Sequence, residues 1–447
     1  MALPTIPEYI TVHLGDPDDR SAPNVTVPFI DYIKNVASSE IYPTWPESAL
    51  RANMYAQISY ALNRVFSEWY PSRGYDFDIT SVTAYDQKYI DGRDIYESVS
   101  RIADDIFNDY IVREGNVQPL FAQYCNGTTV TCDGLSQWGT VTLAEEGLVP
   151  YEILQYYYGD DISIVFNAPT APALPSYPGY PLRLGSFGED TRTIQRQLNR
   201  IGRNYPAVSP RLREDGLFDV NTELAVKNFQ SVFNLLPDGI VGKSTWYRIK
   251  SIFNAVKGIA ELQSEGLTPG EVERIFPRQL SEGDTGIGVR TVQYYLSLVA
   301  YFDNTIPSPP YNGVFGASTR RSVEAFQRSE GLDPDGVVGR DTWNALVRRY
   351  DELLASLPQS VGSEEAELAY PGRFLSEGQN GPDVERLQRL INRAAEKNSF
   401  IPSVTVDGNY GNRTTEAVRA VQRESGLDPS GVTGPVTWAR IAALSEG

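Results

Sequence analysis

Histidine is nearly absent from this 447-residue chain, which has only His13. Cysteine is almost as scarce, with Cys125 and Cys132 alone. Metal sites built on several histidines, and triads that need a histidine base, are therefore excluded. Carboxylate, hydroxyl and thiol groups remain for catalysis, and no cofactor is implied. Basic residues are outnumbered, 39 against 57 acidic, giving a net charge of −18 and a pI near 4.6. A surface of that sign repels nucleic acid and anionic membranes, so neither is an expected partner. No apolar run has bilayer length, and the opening MALPTIPEYITVHLG lacks the basic and apolar regions of a signal peptide.

What is present is organised around Asp31 to Val65. Thr44 and Glu47 have capping-box spacing, Pro46 suits a first helical turn, and Leu50, Met54, Ile58, Ala61, Leu62 and Val65 recur at helical period. A second face carries Ala49, Ala52 and Ala56, so another backbone can approach and the helix is expected to be buried. Just ahead of it Glu40 stands between an apolar turn (Ile33, Val36, Ala37) and Ile41, Tyr42 and Trp45. A carboxyl in such company loses hydration and holds its proton to higher pH, as a general acid requires. The alternative is a solvated loop residue or a helix cap.

Around this stretch, Tyr9 to Leu14 and Val25 to Phe29 alternate as two strands joined by a turn-rich loop, with His13 a structural residue on the first. Phe77 to Tyr89 is expected as a strand or hairpin containing Asp86, either a second carboxylate or a turn residue. Residues 96–112 read as one amphipathic helix with Val99, Ile102, Ala103, Ile106, Phe107 and Tyr110 inward and Asp104, Asp105 and Asp109 in solvent. Pro119 to Tyr124 reads as a strand leading into Cys125 and Cys132, whose spacing suits a small disulfide loop, two free thiols or two metal ligands.

The segment APTAPALPSYPGYP, residues 168–181, is expected to be a semi-rigid spacer. Beyond it the chain repeats itself three times. The anchors are Leu184, Leu280, Leu375; Gln195, Gln293, Gln388; Gly216, Gly313, Gly408; Thr222, Thr319, Thr414; Gln230, Gln327, Gln422; and Trp246, Trp343, Trp438. Most step by 97 and then 95 residues. Each copy reads as three helices, with Thr319 expected to cap the second helix of copy two. The tryptophans and the Phe229-Gln230 and Phe326-Gln327 pairs are expected in cores. Copy one is read as lacking one of the paired glycines near its start, and insertions fall at YPAVSPRLRE and FDNTIPSPPY.

These motifs carry two resemblances. NVTVPFIDYIKNVASSEIYPTWPESALRANMYAQISYALNRV and CDGLSQWGTVTLAEEGLVPYEILQYYYGDDISIV resemble the two signature motifs of the stage II sporulation protein D family, in the family's order. The repeats, with patterns such as NGVFGASTRRSVEAFQ and DPDGVVGRDTW, resemble the three-helix peptidoglycan-binding domain. A similar combination occurs in clostridial spore cortex-lytic enzymes. The first family contains lytic transglycosylases, and Glu40 matches its catalytic acid. The resemblance also implies substrate contacts at Gln87, Ser136, Gln137 and Trp138, an aromatic face packing on a pyranose and amides fixing its hydroxyls. For Trp138 the alternative is a buried ring in a tight turn. This chain departs from the family's Gly-His-Gly, having Cys132, Asp133 and Gly134 there. No histidine accompanies the two cysteines, so a disulfide or free thiols are expected rather than a metal site.

The expected architecture is multidomain: an N-terminal α+β catalytic-type domain followed by three small all-α three-helix domains. The boundaries are 1–167, a linker 168–181, repeats at 182–256, 273–351 and 371–447, and linkers at 257–272 and 352–370. The expected function is binding and lytic cleavage of peptidoglycan glycan strands, with Glu40 as a single acid and base. A non-catalytic wall anchor within a larger assembly, or an amidase enhancer, is the alternative. Location at a cell wall or spore is expected, reached by cell lysis or a phage-like particle rather than ordinary secretion.

Overall fold

A computed structural model describes residues 4–173, 175–186, 188–272, 279–310, 312–355, 368, 370–371, 375–427 and 429–446. The chain divides into two compact units, Met1–Ser176 with Tyr247–Glu273, and Tyr177–Trp246 with Arg274–Gly447. Among the described residues no helix is long and apolar enough to cross a membrane.

In the first unit β1 (Ile6–Pro7) precedes β2 (Tyr9–His13), which pairs antiparallel with β3 (Asn24–Pro28) as the alternation predicts. His13 is buried, hydrogen-bonded to Asn24 and the Asp16 carbonyl and stacked on Phe77, in agreement with a structural role. The chain then forms α1 (Phe29–Glu40) and α2 (Glu47–Phe66). No capping box forms: α2 begins at Glu47, so Thr44 lies outside it, and the Glu47 carboxylate pairs instead with Arg51 and Arg101. The expected burial of α2 holds, and its aliphatic and alanine positions are enclosed. So are Asn53, Gln57, Tyr60, Asn63 and Arg64, a polar stripe that the apolar pattern conceals.

Of the strand expected over Phe77 to Tyr89 only β4 (Ile79–Thr80) forms, parallel to β2. The loop after β4 is shaped by Asp86, which accepts from Arg64, Tyr70 and the amide and hydroxyl of Thr80. The helix expected over 96–112 is divided into α3 (Glu97–Ile106) and β5 (Tyr110–Arg113). Asp109 is therefore not on a solvated helix face but buried, accepting the Asn167 amide. The expected strand from Pro119 shrinks to β6 (Tyr124–Cys125), parallel to β7 (Leu135–Ser136). The helices α4 (Gln137–Glu145) and α5 (Pro150–Tyr158) come next. Then β8 (Ile162–Val165) pairs with β5, and β9 (Thr170–Ala171) pairs with β1. The proline-rich stretch is thus tied down at its start, and the Ser176 amide is bound by Glu68.

In the second unit each copy holds a set of helices. Copy one has α6 (Glu189–Asn204), α7 (Val220–Val232) and the start of α8 (Lys243–Lys257). The short α9 (Pro269–Val272) comes after it. Copy two has α10 (Ile287–Phe302), α11 (Ala317–Ser329) and α12 (Arg340–Ala355), and copy three has α13 (Pro382–Lys397), α14 (Asn412–Glu424) and α15 (Pro435–Glu446). Leu182, Leu280 and Leu375 bridge to Val241, Val338 and Thr433. The leading leucine of copy one is therefore Leu182, 1% exposed, rather than Leu184, 50% exposed. In that register Gly185 and Gly188 match Gly283 and Gly286, so copy one has both glycines; Gly188, Gly286 and Gly381 all have φ above 100°.

The tryptophans are buried, as expected. Each copy is closed by two glutamines used in the same way. Gln195 Oε1 accepts the Gly216 amide while its Nε2 donates to the Leu217 carbonyl and Thr222 hydroxyl. Gln230 does the same to Gly239, Ile240 and Thr245. Gln293, Gln327, Gln388 and Gln422 repeat the pattern. Thr319 is accordingly no cap: Gly316 occupies that position, and the buried Thr319 hydroxyl accepts from Gln293. The copies also touch, through Arg183 with Asp383 at 3.0 Å and Val436 in the core of copy two, and Tyr180, just ahead of copy one, meets Tyr294 of copy two and Tyr370, just ahead of copy three.

Residues 257–272, expected as a linker, belong with the preceding ten residues to the first unit. Lys250 pairs with Glu68 at 2.5 Å, Asn254 donates to the Ser67 carbonyl, and Asn63 donates to the Ile259 carbonyl. The Leu267 amide is bound by Gln118. Lys257, itself buried, pairs with Glu271 in α9. The linker expected at 352–370 falls largely outside the described residues.

Candidate active site

Glu40 is the last residue of α1, and its carboxylate is enclosed by three donors from different parts of the first unit. Oε2 accepts from Tyr124 Oη at 2.6 Å and from Gln57 Nε2 at 2.9 Å, and Oε1 accepts from the Lys88 amide at 2.7 Å. Burial pushes the carboxyl above its usual range, against the pull of these hydrogen bonds.

The donor directions are set by the next layer. Gln87 Nε2 donates to the Gln57 carbonyl, which can only accept, so the amide orientation is determined. The same nitrogen donates to Tyr124 Oη at 3.0 Å, and Tyr32 Oη donates to Gln87 Oε1 at 2.9 Å. Tyr124 therefore accepts from Gln87 and gives its own proton to Glu40. Burial, then the neighbouring carboxylate, pushes the Tyr124 hydroxyl well above its usual range, so it remains a donor.

This arrangement revises the expectation for Gln87. It is 1% exposed with both ends of its amide engaged internally, so it orients Tyr124 instead of contacting a ligand. Ser136 is likewise engaged, capping α4 by accepting the Gly139 amide, and Gln137 is buried. Trp138 is not a buried turn residue: it is 43% exposed and lies against Trp45 and Tyr42, with ring centroids 4.9 and 5.7 Å away. Tyr42, two residues beyond Glu40, is 57% exposed. Trp45 is nearly buried and supports the other two rings. An open aromatic platform of this kind suits the apolar face of a sugar ring.

Asp86 is excluded as a second acid by its partners. Its side chain has no exposed surface and is committed to Arg64 and to the groups around it. Cys125 and Cys132 form a disulfide. Among the described residues there is no cluster of three or more histidine, cysteine or acidic residues suited to a metal ion. A cavity of about 470 Å³ lies between Phe121, Tyr157, Tyr158 and the returning Glu261 to Gln263, but Glu40 does not line it.

Residues 187–249, 285–346 and 380–441 match the family described as Putative peptidoglycan binding domain. The chain carries three tandem copies of that domain. Relatives of the chain include two N-acetylmuramoyl-L-alanine amidases. CwlL of Bacillus licheniformis is 27% identical over 29% of this chain and 36% of the relative. CwlM of Mycobacterium tuberculosis is 26% identical over 33% of this chain and 32% of the relative. A zinc D-Ala-D-Ala carboxypeptidase of Streptomyces albus G is 36% identical over 16% of this chain and 28% of the relative. The chain thus spans about a third of the length of these relatives. It is a multidomain protein in which an α+β region precedes the helical peptidoglycan-binding domains.

Gln57, Tyr124 and the Lys88 amide are missed by sequence reasoning. A signal for Gln57 exists in the polar spacing Asn53, Gln57, Tyr60, Arg64 along a helix otherwise apolar. The Lys88 amide carries no side-chain signal.

Proposed function

We propose that the protein binds cell-wall peptidoglycan and cuts its glycan strands as a lytic transglycosylase, with Glu40 as acid and then base. The observation that carries this reading is an enclosed carboxyl with raised proton affinity close in sequence to the exposed Tyr42, itself packed with Trp138. Oε2 already accepts two donors and Oε1 only the Lys88 amide, so the proton in this reading sits on Oε1. It passes to the glycosidic oxygen as the bond from C1 breaks. The C6 hydroxyl of the same N-acetylmuramic acid attacks C1, and its proton returns to Glu40. A 1,6-anhydro ring forms with no added water. The nucleophile belongs to the substrate, so a single carboxylate suffices, unlike the paired acids of most glycosidases. The commitment of Asp86 elsewhere supports this economy.

The amidase relatives suggest a different bond, between sugar and stem peptide. Histidine-rich zinc chemistry has no residues here, since the only histidine is buried and bonded in β2. A non-catalytic wall anchor is the second reading, favoured by three binding copies beside one candidate site.

The test is mass spectrometry of muropeptides released from vegetative and spore-cortex walls, with and without stem peptides, by the wild type and by Glu40→Gln. Anhydro products that vanish in the variant support the transglycosylase. Binding to all four substrates without cutting leaves the anchor, and release of free stem peptides indicates an amidase.

A further inference from the structure

Tyr124, which holds the candidate acid, is followed immediately by Cys125, which is bonded to Cys132. Strand pairing places Tyr124 opposite Leu135 and Cys125 opposite Ser136. The closed loop also reaches the aromatic platform, because the Trp138 amide donates to the Asn126 carbonyl at 3.2 Å. Within the loop Asn126 Oδ1 accepts the amides of Thr128, Thr129 and Val130. Gly127 packs directly on β7: a Cβ there would overlap Ser136 Oγ. Ser136 in turn caps the helix that carries Trp138. One small covalent loop therefore touches the two strands and the helix start that set both the acid's partner and the platform.

We propose that the Cys125–Cys132 disulfide is a positioning brace that switches the site on: closed, it keeps the Tyr124 hydroxyl on Glu40 and Trp138 against Trp45 and Tyr42. The proposal rests on the reading of Glu40 as the acid. Opening the brace needs an external dithiol. Its two electrons and two protons go to the two cysteine sulfurs, the S–S bond breaks, and the dithiol becomes a cyclic disulfide. Protein in a reducing compartment is then idle, and it becomes active where disulfides persist. Tyr124 acts through Glu40 and is a positioning residue, as are the cysteines.

The test uses the full chain, oxidised or reduced with dithiothreitol, beside Tyr124→Phe and the double variant Cys125→Ser with Cys132→Ser. Three readouts are taken: muropeptide release across pH, pelleting with walls, and the infrared carboxyl band of Glu40, assigned by difference from Glu40→Gln. Reduction and the double variant are expected to lower kcat at least about ten-fold, as misplacement of a catalytic group does. Pelleting is expected to be unchanged. Tyr124→Phe removes a donor that stabilises the carboxylate, so the alkaline limb of the rate profile and the infrared titration move up by about one pH unit. A loss of stability alone lowers the rate without moving that limb.

Rates within about two-fold and an unmoved limb in the reduced protein and the double variant overturn the brace. If reduction melts the first unit, as circular dichroism reports, the double cysteine variant decides, read at a temperature where circular dichroism shows it folded. If the wild type cuts nothing, the transglycosylase reading fails on its own. The infrared band then judges the brace: a Glu40 titration indifferent to reduction and to the double cysteine variant overturns it.

Discussion

Both units bury glutamine amides, and they use them for opposite purposes. In the second unit Gln195, Gln230, Gln293, Gln327, Gln388 and Gln422 each bind backbone and hydroxyl groups of one turn, and Gln195, Gln230, Gln327 and Gln388 also donate to that turn's aspartate. In the first unit Gln57 and Gln87 converge, directly or through Tyr124, on a carboxylate. A glutamine closed on a turn satisfies local polar groups and stabilises a small core. A glutamine closed on Glu40 maintains a group whose ionised form is unfavourable where it lies. The same side chain is thus structural in one place and part of a chemical site in the other, and what distinguishes the cases is the setting of the carboxylate, a surface turn aspartate in one and the enclosed Glu40 in the other.

The comparison is tested most severely at Glu40. Glu40→Gln is expected to lower anhydro-muropeptide release by about 10²–10⁴-fold, the usual contribution of a general acid, measured by mass spectrometry of the products. Stability should respond in the opposite sense. Burial raises the folded-state pKa, so the folded protein holds the proton more tightly than the unfolded chain. Stability contributed by the protonated form is then present below the ordinary carboxyl range and is lost as pH rises through the raised value. Glu40→Gln should consequently melt at or above the wild type at neutral pH, with the difference shrinking in acid.

The next effect concerns residues 247–273. Lys250→Met leaves Glu68 buried without its cation and is expected to destabilise the first unit by about 3–5 kcal/mol in denaturant titrations. If residues 247–256 belonged to the first repeat, as the boundary at 256 expects, the first unit would not respond. In the second unit, Gln327→Ala strips the Gly336 amide and Val337 carbonyl of their partner. A loss of about 2–3 kcal/mol is expected there, with the first unit's melting unchanged. The smallest effect belongs to the platform. Trp138→Ala is expected to weaken substrate binding by about 1 kcal/mol, read as a higher KM, with little change in melting because the ring is half exposed.

How much is legible in the sequence depends on whether a pattern recurs or stands alone. The triple register of Gln, Gly, Thr and Trp is visible because every copy must satisfy the same turn. Even there Leu184 passes for Leu182, since two leucines two residues apart look alike until one is seen bridged to Val241. Glu40 is legible because apolar neighbours flank it in the sequence and the motif around it resembles one with a catalytic acid at that place, while the polar groups that meet its carboxylate are not legible. Gln87 is expected as a substrate contact through the resemblance, which carries no information on burial; it is enclosed instead, and its partners, Tyr32 and Tyr124, lie far away in the chain.

By itself, then, the sequence determined the tandem repeats, the buried α2, the paired β2 and β3, and the candidacy of Glu40. Those features rest on local periodicity, on a register that recurs 97 and 95 residues on, or on a motif contiguous in the chain, and none needs knowledge of which distant groups meet. Only the tertiary structure decided that Tyr124, Gln57 and the Lys88 amide meet at that carboxylate, that Trp138 lies open beside Tyr42, and that 257–272 completes the first unit. Each of these depends on groups brought together from distant positions, where burial creates the need for a partner and the fold alone chooses which partner is in reach.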